Sequence, residues 1–399
     1  MDPRSQRRGR GGLAHPSDLK SIALDPAGHL LLTASTTYGE IGDGHVATGT
    51  VALWRIDNGE LLRSTEVRGL VTKAVFGAGG KRIYVSSAFG PSALTTALSP
   101  APDRWPGDVK GSRYTTDNTV SDLQVHAGTG RIIWLGMPHF IGEGELYLWD
   151  RWGKGAVKRS EQPGISAFVF GPDGKTAAFA GPLMPVGINA IGMKPSGFSG
   201  VMNLDPPSYL AEPLHHGDLV SVLVANDSWT RLVSASSDHR ATLWRPDGAR
   251  LVAGLAHDAA LTAAAFSPGG WLLATGTADG AVRIWNGFSG DVLSEIAWHD
   301  GEVSTLTFDP TGQELIVGLA SGRLVLYDTA STVIRNGVIE TGKPRMKDAR
   351  FVAEGGARLL VRSEDRIEAW DSLTLQPLSQ LMPTTRKRGS PTTTPNAHS

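Results

Sequence analysis

A chain of 399 residues with 40% hydrophobic residues is long and apolar enough to bury a sizeable core, and its formal net charge of −1 calls for no polyanionic partner. Cysteine is absent, which excludes a disulfide framework, a thiolate zinc site and a cysteine nucleophile. The 49 glycines and 24 prolines suit a chain of many short strands joined by tight turns.

Residues 1–12, MDPRSQRRGRGG, are basic and lead into LAHPSDLK instead of an apolar run, so we read them as a disordered terminus and not as a secretory signal. No stretch approaches the roughly 18 apolar residues of a membrane span, and a cytoplasmic protein is the expectation. From Ile22, IALDPAGHLLLTAS gives an alternating strand, a turn with Pro second and Gly fourth, and a second strand. Pro presets φ and Gly fits the last position of a type I turn, so this is an antiparallel hairpin. The pattern returns as KAVFGAGGKRIYVSS from Lys73, DLQVHAGTGRIIWLG from Asp122, FVFGPDGKTAAFA from Phe168 and SVLVANDSWTRLVSAS from Ser221. It closes with AAFSPGGWLLATG from Ala264, LTFDPTGQELIVG from Leu306 and ARFVAEGGARLLVRS from Ala349. Most of these eight units continue into a third strand ending in an aromatic: Trp54, Trp149, Trp244, Trp285, Tyr327 or Trp370. For the second unit, ALTTALS is the expected third strand, with PAPDRWPGD and Trp105 beyond it. A more polar fourth strand follows, as in GELLRS, GDVLSEI or QPLSQL. The segment 383–399, rich in Thr and Pro with a short basic cluster, reads as a disordered tail.

A second periodicity overlies the first. His216, Asp238 and Trp244 recur as His257, Asp279 and Trp285, and in worn form as His299, Ser321 and Tyr327, about 41 residues apart. A unit of that length holds four short strands, one propeller blade, which cannot bury both faces of its sheet alone and must stack in a ring. From Leu13 to Met382 the chain resembles the WD-repeat family. The dipeptide survives as Trp149-Asp150 and Trp370-Asp371, and the family's Gly-His is altered to Ala14-His15, His215-His216, Ala256-His257 and Trp298-His299.

The resemblance implies an all-β propeller of four-stranded antiparallel blades over 13–382, with eight blades and, as runner-up, seven. It also implies blade-pinning hydrogen-bond tetrads: His216, Ser236 (or Ser234), Asp238 and Trp244, then His257, Thr277 (or Thr275), Asp279 and Trp285. In many relatives the N-terminal segment supplies the outer strand of the last blade. SQRRGRGG is a poor strand, so QPLSQL is expected to complete that blade and leave a plain seam.

Ser, His and Asp recurring together invite a hydrolase reading, but a tetrad satisfies buried polar groups and leaves no hydroxyl to attack. We therefore expect no catalytic residues. The eleven histidines are spread about one per unit without paired ligand spacing, and neither a metal nor a cofactor is expected. The basic ends, Arg4 to Arg10 and Arg386 to Arg388, read as solvated charge; a nucleic-acid role through them is the less favoured alternative.

The departures from the repeat carry the functional expectation. From the first strand to the third-strand aromatic one interval is kept by Val220 to Trp244, Leu261 to Trp285, Val303 to Tyr327 and Met346 to Trp370. It lengthens from Leu19 to Trp54, Val120 to Trp149 and Ile165 to Leu204. The extra residues, TTYGEIGDGHVAT, MPHFIGE and GPLMPVGINAIGMKPSGF, all fall between second and third strands and are expected as loops on one face. Insertions on one face of a repeat protein commonly build its binding face. Tyr38, Ile41, Phe140, Met184, Ile188, Met193 and Phe198 are the apolar residues expected to hold a protein or peptide partner there. The expectation is a non-enzymatic platform. The alternative is a hydrolase or lyase at the channel mouth using His45, His139 and Asp43 from the same inserts.

Overall fold

A computed structural model describes residues 13–378 apart from 15–17, 42–43, 88–89, 101–117, 139–144, 150–157, 160–164, 184–195, 332, 341–345, 353–357, 364–365 and 373. Among the described residues the strands form eight sheets, all paired antiparallel and ordered along the chain except at the outer edges of the fourth and eighth. The fifth is representative: Val220–Ala225, Leu232–Ser236, Arg240–Trp244 and Arg250–Ala256 lie side by side in sequence order.

Why the second strands are so apolar follows from their place. Leu232–Ser236 and Leu273–Thr277 are buried on both pleats, because an inner strand is covered by the preceding sheet on one face and the next sheet on the other. Outer strands alternate instead, as in Val292–Ala297, where one pleat faces water.

The core is distributed between sheets. Leu32, Val51, Val71 and Val85 join the first sheet to the second, and Tyr84, Leu123 and Trp134 the second to the third. The series continues to Ile316, Leu326, Leu359 and Trp370, which join the seventh to the eighth. A last cluster joins Leu19, Leu31 and Trp54 of the first sheet to Val352, Leu360 and Ile367 of the eighth. Polar contacts cross the same junctions. Ser221 Oγ donates to Leu261 O at 2.8 Å, Thr262 Oγ1 to Val303 O at 2.7 Å, and Thr307 Oγ1 to Ala349 O at 2.9 Å. Lys73 pairs with Asp122 at 2.5 Å, and the largely buried Arg362 donates to Leu19 O and Lys20 O at 3.2 and 2.9 Å.

The structure corrects the expected seam. In the eighth sheet the strands Asp348–Val352, Arg358–Arg362 and Arg366–Asp371 are completed by Leu13–Ala14, with Leu13 opposite Ile367 and Ala14 opposite Arg366. The described part of QPLSQL takes the other end of that edge: Pro377 bridges Trp370 and Leu378 N donates to Ala369 O at 2.9 Å. The fourth position is thus shared by both ends of the chain. The two residues that pair, Leu13 and Ala14, are apolar and lie just after SQRRGRGG, which falls outside the described residues.

Two further expectations change. The third strand of the second sheet is Gly90–Thr95, and the rest of ALTTALS turns back so that Leu98 N donates to Thr95 O and Leu94 bridges Pro100. In the fourth sheet, the strand Ser196–Leu204 has two outer partners, Pro207–Tyr209 along its end and Leu214–His216 along its start.

Candidate partner-binding site

Within each antiparallel sheet the second-to-third connection lies at the same end as the loop that enters the next sheet. At that end lie the strand ends from which the inserts leave and the entry-loop histidines His216, His257 and His299. In the first sheet the insert is strand and not loop: Leu30–Ile41 pairs with Gly44–Arg55 without a break, down to Ile41 opposite Gly44. Its alternation of Thr, Tyr, Ile and Val suits a pleated pair. The pair is anchored at its base, where Thr36 Oγ1 donates to Val71 O at 3.2 Å and accepts from Val71 N at 3.1 Å. Thr36 is fully buried, whereas Tyr38, two residues further out on the same pleat, is 57% exposed.

The other expected contact residues divide. Ile41 ends the strand Leu30–Ile41. Phe198 is a correction: it is 3% exposed in the strand Ser196–Leu204, opposite Gly181, with its ring 5.8 Å from Phe179. The insert there begins and ends as paired strand, and Phe198 falls on the pleat that faces the core. Phe140, Met184, Ile188 and Met193 lie outside the described residues, as do His139 and Asp43. His45 stands opposite Glu40 in the first sheet.

Two histidines beneath this face, His216 and His257, enter buried hydrogen bonds, though not in the expected grouping. In the sixth sheet Trp285 Nε1 donates to Thr275 Oγ1 at 2.7 Å, and that hydroxyl lies 2.9 Å from His257 Nε2. Thr277, expected in this chain, instead donates to Asp279 at 2.5 Å and accepts from Ala281 N at 3.0 Å. The Thr277 hydrogen bond holds the Asp279 carboxyl below the usual range. In the fifth sheet Ser234 Oγ lies 3.1 Å from His216 Nε2, and Ser199 of the preceding sheet joins at 3.0 Å. Ser236 donates to Asp218 O, Asp238 accepts from Gly217 N and Arg240 N, and the indole nitrogen of Trp244 is buried without a partner. The residue two positions earlier in the strand therefore does the bridging in both sheets, and the aspartates fasten backbone. A matching pair in the first sheet, Trp54 Nε1 donating to Thr33 Oγ1 at 3.0 Å, marks the same position. That recurrence of a hydroxyl just before the small residue of the second strand was the available signal.

Burial pushes His216 and His257 down to about 4. Both rings are neutral at neutral pH, and each is hydrogen-bonded to its neighbouring hydroxyl. Ser234 and Thr275 are 0% exposed, so their hydroxyls have no access to a substrate. Among the described residues no group of three or more His, Asp or Glu is placed to hold a metal ion, and no helix is long and apolar enough to cross a membrane.

Residues 246–286 match the family described as WD domain, G-beta repeat. The chain carries a WD repeat. The match runs from before the outer strand Arg250–Ala256 of the fifth sheet to the end of the third strand of the sixth. The repeat is thus offset by one strand from the sheet, the same offset that brings Leu13–Ala14 to the last sheet. The chain is 36% identical over 111 residues to human apoptotic protease-activating factor 1, covering 26% of this chain and 9% of that one. It is 26% identical over 198 residues to human angio-associated migratory cell protein, covering 48% and 44%. The chain spans less than half the length of these curated relatives. A crystal structure of the computationally designed Ika8 protein shares the fold, with a TM-score of 0.53 at 18% identity over 92% of this chain and 88% of that one. WD-repeat propellers serve generally as protein-interaction scaffolds and are usually non-catalytic.

Proposed function

We propose that this WD-repeat protein is a non-catalytic recognition platform whose eight sheets close as eight blades and hold a protein or peptide partner on the face bearing the inserts of the first, third and fourth. The observation that carries the proposal is Tyr38. A large aromatic, 57% exposed, sits on a two-stranded arm whose base is pinned to Val71. A rigid, solvent-facing aromatic loses little entropy on binding and gains apolar burial, which is the profile of an interface anchor. The closing cluster between eighth and first sheets supports the blade count, and the inaccessible hydroxyls of Ser234 and Thr275 support a non-catalytic role.

The test is site-specific photocrosslinking in cells, with benzoylphenylalanine placed at Tyr38 or, at the opposite end of the same sheet, at Leu61. Discrete adducts from position 38 that are absent from position 61, and lost when 39–46 is replaced by a tight turn, support the reading. Adducts indifferent to the position of the probe sink it.

A further inference from the structure

The opposite face, formed by the first-to-second and third-to-fourth turns, carries a feature that the repeat does not require. Trp54, Trp134, Trp244, Trp285 and Trp370 are buried, but Trp271 is 68% exposed. It directly follows the 3-10 turn Pro268–Gly270, in which Gly269 and Gly270 have φ of 76° and 74°. Its carbonyl accepts from Gly287 N at 2.8 Å, which ties it to the next turn of the sixth sheet. That turn presents Phe288, 39% exposed, with its ring 4.8 Å from the Trp271 ring at 50°.

The neighbouring fifth sheet adds the charge. The Arg231 guanidinium carbon stands 3.8 Å from the centre of the Phe288 ring, and Arg231 Nε is buried without a hydrogen-bond partner. Arg231 belongs to none of the ion pairs among the described residues, although Arg245, Arg283, Arg323 and Arg350 each hold a carboxylate. Val292 and Leu293, 53% and 51% exposed, extend the apolar surface along the outer strand of the sixth sheet. A guanidinium stacked on an aromatic ring keeps its donor fork fixed, and an unneutralised fork beside two exposed rings complements a carboxylate flanked by an apolar side chain.

We infer that Trp271, Phe288 and Arg231 form a second docking site, for an acidic segment of a partner protein in which an Asp or Glu neighbours a Phe or Leu. The carboxylate pairs with Arg231 and the apolar side chain covers Trp271. Trp and Arg together are the commonest anchors of protein interfaces. Stacking of a single-stranded nucleic acid on Trp271 is the competing use, and the near-zero net charge of the chain speaks against it. This site lies on the face away from Tyr38 and does not depend on the function proposed above.

The probes are short fluorescein-labelled peptides carrying Phe or Leu between Asp and Glu residues, their Asn/Gln counterparts, and oligothymidine, each read by fluorescence polarisation against the full chain. Binding of the acidic set, weakened about tenfold by Trp271→Ala and by Arg231→Gln and unchanged by Ser64→Ala on the outer strand Leu61–Arg68 of the first sheet, is the expected result. Arg231→Lys, which keeps the charge but not the planar fork, recovers only part of it. Trp271→Phe supplies a second variant with an intact ring, and circular dichroism verifies the fold of each. The inference is overturned if no acidic peptide binds, if the amide counterparts bind equally, if Trp271→Ala changes nothing in a folded variant, or if oligothymidine binds more tightly than the peptides.

Discussion

The indole of Trp285 donates to Thr275 Oγ1 at 2.7 Å, and through that single hydroxyl it is linked to His257, 2.9 Å further on. One side chain therefore satisfies two buried nitrogens from two different connections of the chain. Thr275→Val keeps the shape and removes the hydroxyl, leaving both nitrogens unpaired. We expect a loss of about 2–4 kcal/mol in urea unfolding, against under about 1 kcal/mol for Thr275→Ser. Equal effects of the two variants would show that packing, and not the hydrogen-bond chain, holds the sixth sheet.

Acid should unfold the protein through the same histidines. His216 and His257 are held down to about 4 by burial and return to an ordinary histidine value near 6.5 on unfolding. Between those limits the unfolded chain binds protons that the folded chain does not, so stability rises with pH across the window and falls as acid is added. The loss is on the order of 2–3 kcal/mol for each imidazole by the lower end. Denaturant titrations from about pH 7 to about pH 4.5 read it, and His257→Gln should flatten the slope by about half.

The shared edge of the eighth sheet makes a residue-level prediction. Deleting residues 1–16 uncovers the start of the strand Arg366–Asp371, where Leu13 and Ala14 pair, and leaves Pro377 and Leu378 on its end. Hydrogen exchange should quicken around Arg366 and Ile367 while the Asp371 amide, which donates to Gln376 O, keeps its protection. Uniform acceleration along the strand would mean that the two ends act as one unit.

The arm of the first sheet is set by a close approach. A Cβ on Gly49 would meet Val71 Cγ2 at 2.1 Å, and Thr48 bridges Gly69 beside it. Gly49→Ala should cost about 1–3 kcal/mol and loosen the Thr36 hydrogen bonds to Val71. Ser64→Ala, on the half-exposed outer strand Leu61–Arg68 of the same sheet, serves as the control and should change stability by under about 0.5 kcal/mol.

Much of the architecture was legible because it is local. The turns at Asp25–Gly28 and Asp309–Gly312 close with the Gly N donating to the Asp O at 3.0 Å, as Pro second and Gly fourth imply. The third strands reach their aromatics at Trp54, Trp149, Trp244, Trp285, Tyr327 and Trp370, or within one residue of them. What could not be read was which of two hydroxyls on the same pleat meets the imidazole. Ser234 and Ser236, or Thr275 and Thr277, share a face, and only the height at which the His loop crosses the strand distinguishes them. The exposure of Trp271 is not legible for a related reason, since a turn residue adjoining an apolar strand looks the same whether a neighbouring sheet covers it or not.

The sequence by itself determined that this is an all-β repeat protein of the WD kind, because strand alternation and turn chemistry act between residues close in the chain and recur at a fixed interval. The tertiary structure decided the rest: that Leu13 meets Ile367 across nearly the whole length of the chain, that Phe198 faces the core while Tyr38 faces water, and that Arg231 of one sheet lies over Phe288 of the next. Each of these depends on how separate sheets approach one another, a distance that no local pattern encodes.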